Sequence, residues 1–433
     1  MSPVPPPPPR LPARPAPPAP GRLLLFGTLV SDGAITERAV LAVEGDRIIY
    51  SGPREQFHAE LFSGDGFSGL RGARGFAGAT RVELAPGFRI LPGLVDVHCH
   101  GACGGDFPAA DEASSRRAID FLHRSGTTTL LASLVTASRE ELLRGIRLHA
   151  RLSGEGLLAG IHLEGPFLSA ARCGAQNPDF LRDPDPVLLN ELLEAAQGKL
   201  ATMSYAPELP GAAALVKLLT RHGVTPSLGH TDCDDATASA SLTAAREGLQ
   251  FDGVSARPTV THLFNGMTPL HHRAPGAAAA CLRSAQAGGA VLELISDGRH
   301  LDPAMVATVF QLVGAANIAL VTDSMAATGL PDGSYLLGPS PVTVAGGVAT
   351  LDATGSLAGG TATLLEVVRR TVAAGVALPD AVLSATAVPA AVVGQADEIG
   401  SLRPGLRADV LVVNGALGLS RVMRGGEWMA PLS

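Results

Sequence analysis

Short apolar runs of strand length recur through the middle of this chain, and stretches of helical period separate them. The runs fall at Leu94–Val97, Thr127–Leu134, Leu158–Leu163, Leu200–Tyr205, Val224–Leu228, Thr259–Leu263, Ala290–Ile295 and Ile318–Thr322. Ser138-x-x-Glu141 is a capping box, and it predicts a helix over Arg139–Arg151 that presents Leu142, Leu143, Ile146 and Leu148. A second helix is predicted over Pro186–Ala196, with Leu188, Leu189, Leu192 and Leu193 on one stripe. Eight strands alternating with helices over about 300 residues predict an α/β fold, a (β/α)8 TIM-type barrel over residues 92–394. Functional groups on such a barrel gather where the strands end.

The flanks read differently. Residues 21–91 hold short strands near Leu23–Val30, Ala39–Val43 and Arg47–Ser51, the last two joined by the turn Glu44-Gly45-Asp46. Ile399–Asn414 and Ser420–Trp428 again read as strands and turns, so residues 395–433 are expected to pair with residues 21–91 in a small β-sandwich. Residues 1–20, mostly Pro, Ala and Arg, have the composition of a disordered polyproline tail. Thr371–Gly394 is rich in Ala and Val, but Pro379-Asp380 and Pro389 break it, which predicts soluble helices rather than a membrane span.

Hydrophobic residues make up 46% of the chain and aromatics only 4%, so the core must be built from Ala, Val, Leu and Ile. A formal charge of -7 argues against a nucleic-acid partner, which needs a basic face, while leaving room for a local anion site. The cysteines are Cys99, Cys103, Cys173, Cys233 and Cys281; they are odd in number and form no CxxC pair. Reduced thiols and a cytoplasmic location are expected, the more so because no basic segment leads into an apolar leader at the N-terminus.

Candidate chemistry begins with His98-x-His100, which closes the run Arg89–Val97. Two imidazoles at i and i+2 leave a strand on one face and suit a divalent ion, though a buried, hydrogen-bonded pair fits that spacing equally well. Glu164, His230, His262 and Asp323 change the picture, because each lies where another apolar run gives way to turn-forming residues. The six fall at the ends of the first, third, fifth, sixth and eighth predicted strands. Imidazole and carboxylate ligands suit Zn, Fe, Mn or Co without selecting one. Glu164 could bridge two ions, with His98, His100 and Asp323 around one and His230 and His262 around the other. Such an ion lowers the pKa of its water from about 16 to about 7, and Asp323 could carry the proton to a leaving amine. Lys199 and Lys217 are the only lysines, and neither is placed to act as a carbamylated bridge, a Schiff base or a P-loop lysine.

The remaining histidines and thiols have plainer readings. His162 shares a face with Glu164 and is expected in the core or behind the ligands. His58, His123, His149 and His222 are expected to face solvent. His271 and His272, which precede Arg273, fit either a basic anion site or loop surface. Cys99 should pack on the face opposite the metal histidines, and Cys173 is expected to be a loop thiol.

Taken together, Leu91-Pro92-Gly93-Leu94-Val95-Asp96-Val97-His98-Cys99-His100-Gly101, His162-Leu163-Glu164-Gly165-Pro166-Phe167, Leu228-Gly229-His230-Thr231, Thr261-His262-Leu263-Phe264-Asn265-Gly266-Met267, Asp297-Gly298-Arg299-His300 and Val321-Thr322-Asp323 resemble the N-acetylglucosamine-6-phosphate deacetylase family of the amidohydrolase superfamily. The resemblance runs from about Leu23 to the C-terminus. It implies hydrolysis of the acetamide of N-acetyl-D-glucosamine 6-phosphate, with Glu164, His230 and His262 as metal ligands and Asp323 as acid and base. Some members carry Gln and Asn at the first two histidine positions and hold one ion; His98 and His100 here imply a second. For substrate contacts the resemblance points to Ala175, Gln176, Asn265, Gly266, Arg273, His300, Leu357, Ala358 and Gly359. Arg273 would hold phosphate oxygens in the neighbouring subunit's site, which implies a homodimer, and His300 would bond the acetyl carbonyl. Gln176 stands where many relatives have His, and Gly266 where Ala is usual. Two other functions compete: a different deacylase or imidohydrolase of the superfamily, and a non-catalytic barrel that binds an amino sugar phosphate.

Overall fold

The eight barrel strands form in the order expected. They are β1 (Leu94–Asp96), β2 (Thr127–Val135), β3 (Gly160–Glu164), β4 (Leu200–Tyr205), β5 (Thr225–Leu228), β6 (Thr259–Val260), β7 (Val291–Leu294) and β8 (Ile318–Leu320). Neighbours in chain order pair in parallel. This computed structural model describes residues 21–58, 76–251 and 257–432; the expected Pro-rich tail lies outside them. Every residue of the eight strands is buried except the half-buried Ala201. The barrel interior covers one face and helices cover the other, so these strands read as apolar runs rather than alternations.

β8 meets β1 just past the strand ends. The Asp323 N–H donates to the His98 carbonyl at 2.9 Å, and the His100 N–H to the Ser324 carbonyl at 2.7 Å. Cys99 bridges Ser324 in parallel fashion, which keeps His98 and His100 on one face although both lie beyond β1. Another boundary moves as well: β6 ends at Val260, not Leu263, because the backbone turns at His262 (φ 26°) and Phe264 (φ 77°).

The helices follow their periodicity. In Arg139–Gly154 the Ser138 side chain accepts the Glu141 N–H and Glu141 accepts the Ser138 N–H at 3.1 Å, the capping box expected. His149 and His123 do not face solvent as expected; they are 0% and 3% exposed. His149 continues the stripe of Leu142 and Ile146, and His123 that of Ile119, so helical spacing carries both inward. Burial pushes His149 down to about 4, and its Nδ1–H donates to the Gly145 carbonyl at 2.8 Å. His58 and His222 are exposed.

Both chain ends enter one eight-stranded sheet beside the barrel. Val410–Val413 pairs antiparallel with Arg89–Pro92, which feeds directly into β1. Where a sandwich of two sheets was expected, the strands of both ends form one hydrogen-bonded sheet, with Leu25, Leu41, Ile48, Ile90, Val410 and Met423 clustered against it. A further cluster joins Val95, Leu131, Val291 and Ala319 of the barrel to Val388 and Val392 of the helix Ala387–Val392.

One element has no counterpart in the sequence reading. Gly333–Leu337, Ser340–Ala345 and Val348–Leu351 form a three-stranded antiparallel sheet between β8 and the helix Leu364–Ala373. Val342 and Val344 are buried between exposed neighbours, and Gly346-Gly347 takes positive φ at the turn, so a hairpin signal was present in the residues. Among the described residues no helix is long and apolar enough to cross a membrane.

Candidate metal centre

Five side chains converge at the mouth of the barrel around one carboxylate. Glu164, the last residue of β3, points Oε1 at His230 Nε2 and His262 Nε2, each 2.9 Å away. Its Oε2 lies 3.3 Å from His100 Nε2, and Oε1 is 3.8 Å from His98 Nε2. Asp323 adds Oδ1 at 3.1 Å from His100 Nε2 and 3.5 Å from His98 Nε2. Two groups result, with ligand atoms within 4.8 Å of one another: His98, His100 and Glu164 at a first position, and Glu164, His230 and His262 at a second. Glu164 belongs to both, as expected of a bridge.

The outer nitrogens decide what the inner ones can do. Nδ1 of His98 faces Glu293 Oε2 at 3.0 Å, Nδ1 of His100 the Ser133 carbonyl at 3.2 Å, and Nδ1 of His230 the Arg172 carbonyl at 2.8 Å. On a neutral ring each acceptor draws the one hydrogen to Nδ1 and leaves an Nε2 lone pair facing inward. His98 and His100 bring these Nε2 atoms to 3.2 Å, and His230 and His262 to 3.1 Å. Lone pairs that close repel unless positive charge lies between them, so the donor set fits a divalent cation at each position. His230 (φ 45°), His262 (φ 26°) and Asp323 (φ 49°) hold left-handed backbone, a conformation non-glycine residues keep only where the surroundings enforce it.

Charge follows the same logic. Burial opposes ionisation of Glu164, but the surrounding imidazoles outweigh it and hold the carboxyl well below the ordinary range. Asp323 is likewise lowered to about 2, His98 and His100 overcoming the burial. In return the two carboxylates raise His100 to about 9 against the effect of burial. Loading a cation therefore releases protons from the site.

Beneath the ligands runs a hydroxyl network. His162 sits between Ser133 Oγ at 3.0 Å and Ser204 Oγ at 2.9 Å, and its ring lies 4.5 Å from that of His98, behind the ligands as expected. Ser204 and Ser227 each bond Thr261 Oγ1 at 2.6 Å. Cys99 is fully buried on the opposite face, with Sγ 3.1 Å from Ser324 Oγ.

Above the ligands opens a cavity of about 230 Å3. Its lining includes the expected Ala175, Gln176, Asn265, Gly266, His300, Leu357 and Gly359, together with His100, Glu164, His230, His262 and Asp323. His98 lies deeper, fully buried. Two expected contacts are not brought here. Ala358 packs under the three-stranded sheet with Val342 and Leu351, and Arg273 stands exposed outside the cavity beside His271 and His272, whose rings tilt together at 4.3 Å. Gln176 holds Glu164, donating from Nε2 to Oε2 at 2.6 Å while its own Oε1 accepts the Thr136 N–H at 2.7 Å. His300 Nδ1 lies 2.8 Å from Asp297 Oδ2, and its Nε2 is 3.9 Å from Asp323 Oδ2. Burial opposes a charge on His300, but Asp297 prevails and raises its proton affinity.

Sequence reasoning missed several of the residues here. Asp96, fully buried, accepts the His98 N–H at 3.2 Å and the Thr322 hydroxyl at 2.6 Å, tying β1 to β8; burial pushes it up to about 6. Glu293 is a lone acid in the apolar run of β7. Both were visible as charges interrupting buried strands, the pattern that marks a paired or functional group. Leu337, Ser356 and Gly174 also line the cavity, and nothing in the local sequence marks them.

The model of the amidohydrolase family matches residues 89–429. N-acetylglucosamine-6-phosphate deacetylase of Bacillus subtilis (strain 168) is 37% identical over 62% of this chain and 66% of its own length, slightly under two thirds of that relative. The same enzyme of Vibrio furnissii is 31% identical over 78% of this chain and 81% of its own length. N-acetylgalactosamine-6-phosphate deacetylase of Escherichia coli O157:H7 is 32% identical over 78% and 87%. Among solved structures, N-acetyl-D-glucosamine-6-phosphate deacetylase from Mycobacterium smegmatis superposes with a TM-score of 0.81 at 35% identity, covering 95% of this chain and 100% of that one. The bridging carboxylate, the paired histidines and these likenesses agree: the chain belongs to the amidohydrolase family, among its N-acetylglucosamine-6-phosphate deacetylases.

Proposed function

We propose that this chain is a divalent-metal hydrolase that converts N-acetyl-D-glucosamine 6-phosphate and water into D-glucosamine 6-phosphate and acetate. The observation that carries the reading is Glu164 standing between two histidine pairs, with Asp323 3.1 Å from His100. Zinc suits this set of imidazoles and carboxylates. When bound, a divalent ion supplies Lewis acidity toward water and the amide carbonyl. Asp323, ionised at neutral pH, takes the proton of the attacking water at a carboxylate oxygen and returns it to the departing sugar nitrogen. His300, backed by Asp297, offers a ring N–H toward the acetyl oxygen as negative charge builds there. Asn265, Gln176, Leu337 and Leu357 border the space left for the sugar.

Arg273 is exposed and does not line this cavity, which supports its service to a neighbouring subunit and hence a homodimer. The catalytic unit in this reading is the barrel of residues 92–394, flanked by residues 21–91 and 395–433. Five free cysteines support a cytoplasmic location. Elemental analysis paired with an acetate-release assay tests the reading. It uses N-acetylglucosamine 6-phosphate, the galacto epimer named for one relative, and unphosphorylated N-acetylglucosamine. Metal-dependent release from the phosphorylated gluco sugar is expected; release from none of them, or release indifferent to metal removal, rejects it.

A further inference from the structure

Of the four histidines in the two metal groups, only His98 has its outer nitrogen against a carboxyl group among the described residues. Its Nδ1 lies 3.0 Å from Glu293 Oε2, whereas His100 and His230 face backbone carbonyls. Glu293 is 1% exposed within β7, among strand residues that are otherwise apolar. No lysine or arginine among the described residues pairs with it. Among the described residues its side-chain hydrogen bonds are with His98 Nδ1 and, at 3.3 Å, the backbone N–H of His262. An acid buried with so few partners costs free energy to hold, and a hydrophobic side chain would fill β7 without that cost.

We propose that Glu293 is a positioning residue for the first metal position. It keeps hydrogen on Nδ1 of His98, so that Nε2 presents its lone pair toward Glu164 and Asp323. A neutral imidazole carries one ring hydrogen, and an acceptor at Nδ1 decides where it sits. Nothing else near the ring can do this: His162, packed edge-on at 4.5 Å, has both nitrogens engaged with Ser133 and Ser204. The same Oε2 accepts the His262 N–H, which links the orientation of a first-position ring to the turn that carries a second-position ligand. This rests on the metal reading above and deepens it, since it names what makes the first position competent.

The test uses the full chain, stripped of metal and titrated with zinc, with the two binding steps read by calorimetry and the stoichiometry by elemental analysis. Imidazole 15N spectra of the zinc-loaded protein report whether His98 keeps its hydrogen on Nδ1. Glu293→Leu is expected to weaken the first position by about ten- to a hundredfold, the range for outer partners of metal ligands, and to release the tautomer. Glu293→Gln, nearly isosteric and still offering an oxygen, should restore the tautomer and most of the affinity. In a His98→Ala background, Glu293→Leu should change zinc binding no further. Unchanged first-position affinity and tautomer in Glu293→Leu overturn the proposal, as does an equal loss with and without His98. Wild-type protein that takes up no zinc overturns the metal reading and this inference together. Uptake confined to the second position overturns this inference alone.

Discussion

The two histidine pairs that share Glu164 are aimed by different means. His98 and His100 sit two residues apart on one extended segment, and acceptors on other strands, Glu293 and the Ser133 carbonyl, set the direction of their rings. His230 and His262 follow the ends of separate strands, and each stands at positive φ, so the backbone itself swings the ring inward. His230 has the Arg172 carbonyl as an anchor, while His262 Nδ1 is buried without a hydrogen-bond partner among the described residues. The first pair thus depends on partners and the second on turns. A change to a distant acceptor should disable one, and a change in backbone preference the other.

The most severe break is at the shared carboxylate. Glu164→Ala removes a ligand from both positions and leaves Gln176 Nε2 without its 2.6 Å acceptor, so both ions and all acetate release should be lost. Elemental analysis checks this; retention of one ion would show that one pair holds metal without the bridge. Next is Asp323→Asn, which should lower kcat by about a hundredfold or more, since general acid–base groups contribute about 10²- to 10⁴-fold. Second-position occupancy should persist, because the metal histidines that Asp323 approaches, His98 and His100, both belong to the first position. Near-normal turnover in steady-state assays would remove its proton-carrying role.

Turn-set geometry is also where the sequence was least legible. Asp96, His98 and His100 alternate along one run, and the period of an extended chain placed both rings on one face correctly. His262 was read as a strand residue because Thr259, Val260 and Thr261 before it are β-branched strand formers; the strand stops at Val260, and nothing in the composition announces a left-handed histidine. The barrel could be read because burial on both faces of each strand leaves continuous apolar runs. His123 and His149 were misplaced for the complementary reason: a polar residue type outweighed a helical stripe that carried it inward. The pairing of Glu293 with His98 depends on a contact across strands, which spacing alone does not encode.

Arg273 belongs to neither pair, and so it separates metal binding from substrate binding. Arg273→Ala should leave both ions in place and raise KM for the phosphorylated sugar by about ten- to a hundredfold, the loss expected for a charge-assisted hydrogen bond of about 1.5–3 kcal/mol. KM for unphosphorylated N-acetylglucosamine should not move. An unchanged KM for the phosphate ester, measured by acetate release, would show that the phosphate is held elsewhere.

The mildest expected effect probes the turn-set pair directly. Gly266 adopts φ +61°, and a Cβ there would lie 2.9 Å from His230 Nδ1, the atom anchored to the Arg172 carbonyl. Gly266→Ala therefore acts twice: it asks an L-residue to hold a left-handed conformation, and it presses on the ring at its anchored edge. The first effect costs about 1 kcal/mol. The ring can yield by a few tenths of an ångström toward the cavity, because Gly174, 3.3 Å from His230 Cε1 by the same measure, has no side chain to resist it. The sum should weaken zinc at the second position by about fivefold to tenfold and leave the first position, whose rings are aimed from β2 and β7, at wild-type affinity. Equal weakening of both positions in the calorimetric titration would mean that Glu164 passes the displacement across, and that the two pairs are one mechanical unit.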